Sequence, residues 1–322
     1  MADKKIIAVM GATGSQGGGL VRAIQSDPSG GFTARAITRD VNSDKAKALR
    51  DLGAEVVAAD IDDEASLKKA FSGAYGAYCV TFFWAHYSVA KEQAEARAMA
   101  DAAKVTGLAH VVWSTLEDVR KYVPLSDDRM PTLQGKYKVP HFDGKGEADR
   151  FFLESGVPTT LLYTSAYWEN LIVFGMGPQR RADGSLVIGF PTADKRIPWI
   201  GAEDIGRSAF GIFARGTSLA GMTIGIAGEH LTGAELAHHL SAALGEPVRY
   251  EAMTPEAYRA PGHEALVELA NMWQFKRDCE ALYCATRSVA ATRQLNPALQ
   301  DFSAWLATHA RRIPVPPLAS AA

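Results

Sequence analysis

The chain has 322 residues, of which 47% are hydrophobic and 22% charged, and this composition excludes disordered and fibrous classes. Its 34 Lys and Arg residues are balanced by 36 Asp and Glu residues, which disfavours direct nucleic-acid binding. Three cysteines without metal spacing indicate a reducing compartment, and the N-terminal apolar run at 6–10 is too short for a signal or membrane segment. We therefore expect a cytoplasmic protein that does not associate with membranes.

Short apolar runs alternate with helical patterns in the first half of the chain, which is typical of βαβ units. The apolar runs predict six strands, at 6–10, 33–38, 55–59, 77–82, 110–113 and 159–163. Helices are predicted at 44–52, 64–71, 90–105 and 142–155. Together these elements predict an α/β fold with a Rossmann-type, doubly wound parallel sheet covered on both faces. The aperiodic segment 122–140 predicts a long loop.

The pattern changes after residue 164. Apolar runs at 186–190 and 196–200 flank a turn at 191–194 and predict a β-hairpin, which is followed by a helix at 203–214. Mixed short strands and helices continue to residue 308. We expect a first domain at 1–164, to which parts of 200–228 return. A smaller, discontinuous α+β domain at 165–322 is expected to form the other wall of a cleft.

A glycine-rich segment, GATGSQG at 11–17, follows the first predicted strand and opens a helix. Gly11 permits a tight turn, Gly14 lets the backbone approach a pyrophosphate, and Gly17 allows close packing of helix and strand. Backbone amides at the start of the helix then receive the phosphate charge. In this position the motif predicts an NAD(P)-binding site. The alternative is a glycine turn without a ligand.

The end of the second predicted strand indicates which dinucleotide is bound. NAD sites usually carry an acid there, whereas this chain has Arg39, with Lys45 nearby, which favours the 2′-phosphate of NADP(H). Two alternatives remain open: Asp40 could take the role of the acid and favour NAD, or the basic side chains could simply be solvated. Asp60, which closes the third strand, either accepts the adenine amino group or caps the next helix.

Taken together, these residues resemble the NmrA-like family, the HSCARG-like branch of the atypical short-chain dehydrogenases/reductases, which includes a mammalian redox sensor. The resemblance spans nearly the whole chain. Beyond the glycine motif it rests on HFDGKGE at 141–147, YWENL at 167–171, and LNP at 295–297 with Phe302 and Trp305. The first two of these segments are more specific to the family than the glycine motif, which all extended reductases share.

The resemblance implies a cleft that holds NADP(H) between a Rossmann domain and a smaller C-terminal domain. The residues that it places at the diphosphate are Gly11, Thr13, Gly14, Ser15 and Gln16. Those that it places at the 2′-phosphate are Arg39 and Lys45. Asp60 and Ile61 would lie at the adenine. Thr81 and Phe82, which end the fourth predicted strand, would lie at the nicotinamide ribose. Lys145 matches the lysine that holds ribose hydroxyls. Near the nicotinamide pocket it places Tyr167, Glu169 and Asn170. The resemblance also allows a homodimer.

One departure from typical short-chain reductases leaves the chemistry open. Those enzymes use Tyr-x-x-x-Lys, in which the lysine charge lowers the pKa of the tyrosine so that its phenol can exchange a proton. Here the residue four positions before Lys145 is His141. Either side chain could supply a proton, and the alternative for His141 is a structural role. Ser114 and Thr115 follow the fifth strand, where such reductases keep a hydroxyl for the substrate.

Two functions are therefore predicted. The first is an NADPH-dependent reductase acting on a quinone, imine or enone-like acceptor. A flat ligand would suit the aromatic residues of the pocket region, which could also be core: Phe82, Phe83, Trp84, Tyr87, Tyr167 and Trp168. The second is a non-catalytic NADPH/NADP+ redox sensor that regulates a protein partner, in which the cofactor orders the loop at 122–140. The missing tyrosine favours the sensor, whereas the related isoflavone-reductase branch works with the lysine and without such a tyrosine.

No metal site is predicted from the sequence. His238 and His239 are adjacent on a predicted helix and point in different directions. Cys279 and Cys284 lack further His or Cys partners at metal-binding spacing.

Overall fold

The computed structural model describes residues 4–27 and 31–317. Its strands, numbered in chain order, are β1 (Lys5–Val9), β2 (Phe32–Thr38), β3 (Glu55–Ala58), β4 (Gly76–Cys79), β5 (His110–Thr115), β6 (Thr159–Tyr163), β7 (Ala166–Tyr167), β8 (Gln179–Arg180), β9 (Leu186–Phe190), β10 (Ile197–Ile200), β11 (Thr223–Gly225), β12 (Glu229–Leu231) and β13 (Val248–Ala252). Seven of them form one parallel sheet in the order β11-β6-β5-β4-β1-β2-β3. The predicted fold class is confirmed.

The α-helices connect the strands and cover the sheet. They are α1 (Ser15–Gln25), α2 (Asp44–Asp51), α3 (Glu64–Phe71), α4 (Val89–Val105), α5 (Pro140–Ser155), α6 (Asn170–Val173), α7 (Ala202–Ala214), α8 (Gly233–Leu244), α9 (Pro255–Arg259), α10 (Glu264–Asp278), α11 (Glu280–Ala285), α12 (Val289–Leu295) and α13 (Phe302–His309). None of the helices within the described ranges is long and apolar enough to cross a membrane.

Side-chain alternation along the strands buries both faces of the sheet. On one face, Ile7 and Val9 pack in a cluster with residues of α1, α2 and α7. On the other, Ala8 packs in a cluster with residues of α3, α4 and α5. The near-continuous apolar runs of the sequence follow from this double coverage.

Two features of the large sheet differ from the sequence prediction. The fourth strand ends at Cys79 rather than at residue 82, because its neighbour β1 ends at Val9, which pairs with Tyr78. Thr81 and Phe82 therefore lie in the loop after the strand. A seventh strand, β11, was not predicted because only three residues pair there, along the outer edge of β6.

The predicted hairpin of 186–190 and 196–200 is wrong. β9 pairs with β8 and β13, whereas β10 pairs with β7 and β12, so the two strands belong to different three-stranded sheets. Both strands are almost wholly buried, and an apolar strand that is covered on both faces carries no alternation that identifies its partner. The short segment between them turns the chain from one sheet to the other.

The two small sheets and the later helices surround a core rich in tryptophan, to which Trp168, Trp199, Trp273 and Trp305 contribute. This C-terminal part is joined to the large sheet through α7, which packs against α1, and through β11. The boundary at residue 164 stays a prediction.

The segment 122–139 is largely irregular, as predicted, but buried side chains hold its backbone in place. The ammonium of Lys138, which is 1% exposed, donates to the carbonyls of Asp127 (2.9 Å) and Met130 (2.6 Å). From α10, Asn271 donates to the carbonyls of Pro131 (2.9 Å) and Lys138 (2.6 Å). Protein groups therefore satisfy much of the polar backbone of this loop.

The close approach of α1 and α7 depends on glycine. A Cβ added to Gly206 would lie 2.1 Å from the backbone nitrogen of Leu20, and one added to Gly19 would lie 3.1 Å from the carbonyl oxygen of Glu203. We expect Gly206→Ala to lower the free energy of unfolding by about 1–3 kcal/mol, because the helices must separate. Chemical denaturation measures the change, and an unchanged midpoint and slope would contradict this packing.

Candidate functional site

The predicted phosphate, adenine and ribose residues that follow β1 to β4 lie along one edge of the large sheet. The chain runs outward from β1 through β2 and β3 on one side and through β4 and β5 on the other, so β1 and β4 flank the topological switch point. All strands of the sheet are parallel, and their carboxyl ends therefore meet at one edge. The glycine segment follows β1, Arg39 follows β2, Asp60 follows β3 and Thr81 follows β4.

The glycine segment has the geometry of a close phosphate-binding turn. Gly11 has φ +60°, and a Cβ on Gly17 would lie 2.5 Å from the carbonyl oxygen of Gly11. The N-cap of α1 is Gly14, and no side chain of the described residues caps the first amides of this helix. Thr13 and Ser15 lie in the same turn, half-buried and exposed respectively. Unused amide donors on a backbone that a ligand can approach closely fit a diphosphate.

Gln16 joins this turn to three other elements. Its Oε1 accepts hydrogen bonds from Ser114 Oγ (2.8 Å) and from the hydroxyl of Tyr78, while its Nε2 donates to the hydroxyl of Tyr167. Burial raises the pKa of Tyr167 to about 12, so its phenol stays neutral. The predicted substrate hydroxyl of Ser114 thus serves Gln16, and Tyr78 belongs to the network although the sequence did not indicate it.

Two basic side chains, Arg39 just after β2 and Lys45 in the first turn of α2, are exposed. Neither Arg39 nor Lys45 forms a hydrogen bond or ion pair with any residue in 4–27 or 31–317. Asp40 instead organises its own loop, because its Oδ1 accepts from the backbone nitrogen of Asn42 at 2.8 Å. Two free cations beside a phosphate turn fit the 2′-phosphate of NADP(H).

The structure decides one of the alternatives for Asp60. The residue that caps α3 is Asp63, whose Oδ1 accepts from the backbone nitrogens of Ala65 (3.0 Å) and Ser66 (3.2 Å). The interpretation of Asp60 as the helix cap is therefore wrong, and its exposed carboxylate accepts only from the nitrogen of Asp62 among the described residues. Ile61 is half-buried and packs on the sheet face that α3 covers.

Lys145 lies at the carboxyl end of β4 in a buried polar cluster. Its ammonium donates to Thr81 Oγ1 (2.5 Å) and lies 2.7 Å from Glu92 Oε1 and 5.1 Å from the ring centre of Trp113. Thr81 Oγ1 also donates to Glu92 Oε1, at 2.5 Å. Glu92 is fully buried, and its place in the site was not predicted from the sequence. The available signal was its helical spacing from Ala96 on the apolar face of α4.

His141 contacts Glu268 and Trp84. Its Nδ1 lies 2.7 Å from Glu268 Oε1, which also accepts from the backbone nitrogen of His141 at 2.7 Å. Glu268 is 1% exposed, and the imidazole packs against Trp84 with ring centres 4.8 Å apart. These contacts join α5 to α10. A proton-donor role of His141 stays a prediction, whereas its contacts are those of a structural residue.

The remaining predicted residues divide between framework and pocket. Glu169 accepts from the backbone nitrogen of Ala202 (2.9 Å) and from Trp305 Nε1 (3.0 Å), so it joins α7 and α13, and Asn170 begins α6. Among the aromatic residues, Phe83 and Trp168 are core, Trp84 and Tyr167 are half-buried, and Phe82 and Tyr87 are exposed. Phe82 is 59% exposed.

Asp149, one turn beyond Lys145, gives the site a pH-dependent stability. Its carboxyl group accepts from Trp113 Nε1 (2.9 Å) and Thr115 Oγ1 (2.6 Å), and burial raises its pKa to about 7. Because this pKa is higher than the unfolded value of about 4, ionisation opposes folding. We expect the free energy of unfolding of the wild type, compared with that of Asp149→Asn, to fall as the pH rises from about 4 to about 7. Above about pH 7 the difference between the two proteins should stay constant. Denaturation curves recorded across this range test the expectation, and parallel pH profiles would contradict it.

The model of the NmrA-like family matches residues 3–306. The chain belongs to the NmrA-like family. Two relatives cover most of it. The "NmrA-like family domain-containing oxidoreductase FrzB" of Cladobotryum sp is 29% identical, over 87% of this chain and 86% of its own length. The NAD(P)H azoreductase of Xenophilus azovorans is 28% identical, over 78% of each chain. The predicted resemblance is confirmed, and both relatives named here are oxidoreductases.

Solved structures of this NmrA-like fold include complexes with dinucleotides. NmrA, a negative transcriptional regulator solved in complex with NADP, superimposes with a TM-score of 0.74 at 24% identity, over 96% of this chain and 95% of that one. The same regulator has been solved in complex with NAD. The NADPH-dependent quinone oxidoreductase QOR2 of Escherichia coli, complexed with NADPH, has a TM-score of 0.69 at 22% identity, over 94% and 99% of the two chains. At these identities the likeness shows the fold.

Proposed function

We propose that this protein is an NADPH-dependent reductase of a flat, conjugated acceptor such as a quinone, an imine or an enone. The observation that carries the proposal is the ammonium of Lys145, held by Thr81 and Glu92 at the switch point beside the glycine turn. An acid fixed at the nicotinamide end of a dinucleotide site is what such a reduction requires. The relatives named as an oxidoreductase and an azoreductase support this class of reaction.

Different residues along the sheet edge would bind different parts of NADP(H). Gly11, Gly14 and Gly17 form the turn that receives the diphosphate, with the amides of α1 as donors. Arg39 and Lys45 would hold the 2′-phosphate, which favours NADPH over NADH. The adenine would lie towards the end of β3, at Asp60 and Ile61, and the nicotinamide towards the ends of β4 and β5.

NADPH, when bound, supplies a hydride to the acceptor. The chain's own contribution is the proton: Lys145 gives one proton from its ammonium to the oxygen or nitrogen anion of the reduced acceptor and regains one from water. A quinone thereby becomes a hydroquinone, with one hydride and one proton consumed. Trp113 beneath Lys145 and the buried Thr81 exclude water from the inner side of this ammonium. Phe82 and Tyr87, exposed at the rim, would stack on the acceptor.

A panel of acceptors tests the proposal. We expect the near-ultraviolet absorbance of NADPH to decrease when quinones, azo dyes or imines are added to the protein, with a slower decrease for NADH. Tight binding of NADPH without turnover of any acceptor would overturn the reductase and favour the second candidate, an NADPH/NADP+ sensor. That candidate has one observation in its favour, since His141, which replaces the usual tyrosine, is turned towards Glu268. The protein contacts that hold the loop at 122–139 count against a loop that the cofactor orders.

A further inference from the structure

Glu92 brings together three segments that are distant in the chain. From α4, its Oε1 accepts from Thr81 after β4 and pairs with Lys145 of α5. The carboxylate is fully buried, and the side chain of Lys145 is only 11% exposed. A buried ion pair of this kind has to be geometrically well matched, because each charge has lost its water.

The second oxygen of Glu92 faces His86. Glu92 Oε2 and His86 Nε2 are 3.6 Å apart, and neither atom has a hydrogen-bond partner within 4–27 and 31–317. The backbone nitrogen of Ser88 donates to His86 Nδ1 at 3.1 Å, so in the neutral ring the proton is on Nε2. His86 therefore presents a donor to Glu92. With Nε2 protonated, the cluster of His86, Glu92 and Glu95 does not offer the imidazole lone pair that a metal ion needs.

We propose that Glu92 is the positioning residue of Lys145: its carboxylate pairs with the lysine nitrogen and fixes that nitrogen at Thr81, while His86 Nε2 lies 3.6 Å from the second carboxylate oxygen. The inference rests on the proposed function, because it assigns Lys145 the role of proton donor. In Tyr-x-x-x-Lys reductases the lysine charge acts on a tyrosine. Here the corresponding position is His141, which binds Glu268. The charged partner of Lys145 is instead the carboxylate of Glu92.

Several other charged groups lie around Lys145, but Glu92 is the acid that contacts its nitrogen directly. Glu95 and Lys91 follow and precede Glu92 on α4, with Lys91 paired to Asp62, and Asp149 lies one turn along α5. Among the described residues, Glu92 is the only one of these acids with an oxygen within 4.0 Å of Lys145 Nζ. Burial raises the pKa of Glu95 to about 7, so this acid is partly neutral near physiological pH. Removing Glu92 thus removes most of the charge that balances the ammonium.

The test combines a readout independent of turnover with kinetics. Competitive labelling of lysines with an amine reagent, followed by mass spectrometry at several pH values, reports where Lys145 becomes a reactive free amine. In Glu92→Gln we expect this midpoint to move to lower pH by about one unit or more, a tenfold change in the ammonium-to-amine ratio. We also expect kcat to fall at least about tenfold, with the KM for the acceptor nearly unchanged and the alkaline limb of the kcat profile moved in the same direction.

The matched control is Glu95→Gln, which neutralises a buried acid three residues away that does not contact Lys145. We expect it to leave the labelling midpoint of Lys145 within a few tenths of a pH unit. Thr81→Val provides a second variant if Glu92→Gln does not fold: it should lower kcat because the nitrogen is less well fixed, and leave the labelling midpoint in place. An unmoved midpoint in folded Glu92→Gln would overturn the inference even if the wild type is a reductase. A wild type without any turnover would instead overturn the proposed function, and with it the catalytic role of Lys145 and Glu92.

Discussion

Lys145→Met is expected to lower kcat by about 10²–10⁴-fold, the range for loss of a positioned general acid. Methionine keeps much of the length of the lysine stem but removes the ammonium that lies 2.5 Å from Thr81 Oγ1. Because the loss concerns proton transfer, the affinity for NADPH should change much less than kcat. Steady-state kinetics with a quinone, together with calorimetric titration of NADPH, separate the two effects.

Stability has to be controlled in this experiment, since Lys145→Met leaves the fully buried carboxylate of Glu92 without its cation. Breaking a buried ion pair costs about 3–5 kcal/mol of folding free energy. The double variant Lys145→Met/Glu92→Gln removes both charges and should regain stability without regaining activity. Lys104→Met, at an exposed lysine near the end of α4, serves as the matched surface control. Full activity of the folded double variant would exclude Lys145 as the acid.

Arg39→Ala is expected to raise the Kd for NADPH by about 10–100-fold, as expected when a charged hydrogen-bonding group is removed from a phosphate. The Kd for NADH, which lacks the 2′-phosphate, should change less than about threefold. Lys45→Ala should act in the same direction with a smaller effect, since an ammonium makes no bidentate contact. Binding titrations with both coenzymes measure the selectivity.

Lys47→Ala is the matched control for Lys45, two residues further along α2 and paired with Asp44 on the surface. We expect it to leave both affinities unchanged. Equal losses for NADPH and NADH in Arg39→Ala would contradict a 2′-phosphate contact. Unchanged affinities would show that Arg39 is simply solvated, and selectivity for NADH would assign the ribose to Asp40.

The large sheet was predictable because its strands are buried on both faces and are separated by helices with their own apolar spacing. The predicted helices at 44–52 and 64–71 match α2 and α3 closely. The failures concern pairing. β11 contains three residues at a sheet edge, and β9 and β10 are adjacent in the chain but join different sheets. Partner choice depends on tertiary packing, which hydrophobic periodicity does not encode.

The site shows the same division between local and distant information. The glycine turn, Arg39 and Lys145 are recognisable because motif and element position are local properties of the sequence. The contacts that organise the site are not local: Gln16 binds Tyr167, 151 residues away, and His141 binds Glu268, 127 residues away. Glu92 was not predicted because an acid in an alanine-rich helix is usually solvated, whereas this one is fully buried.

Anaerobic single-turnover mixing tests the central claim most directly. The protein saturated with NADPH is mixed with a small excess of a naphthoquinone, and the loss of NADPH absorbance is compared with the amount of hydroquinone formed. We expect one hydroquinone per NADPH oxidised, and loss of this reaction in the folded Lys145→Met/Glu92→Gln variant. Persistence of the NADPH absorbance with quinones, imines and azo acceptors alike, in a protein that binds NADPH tightly, would contradict it.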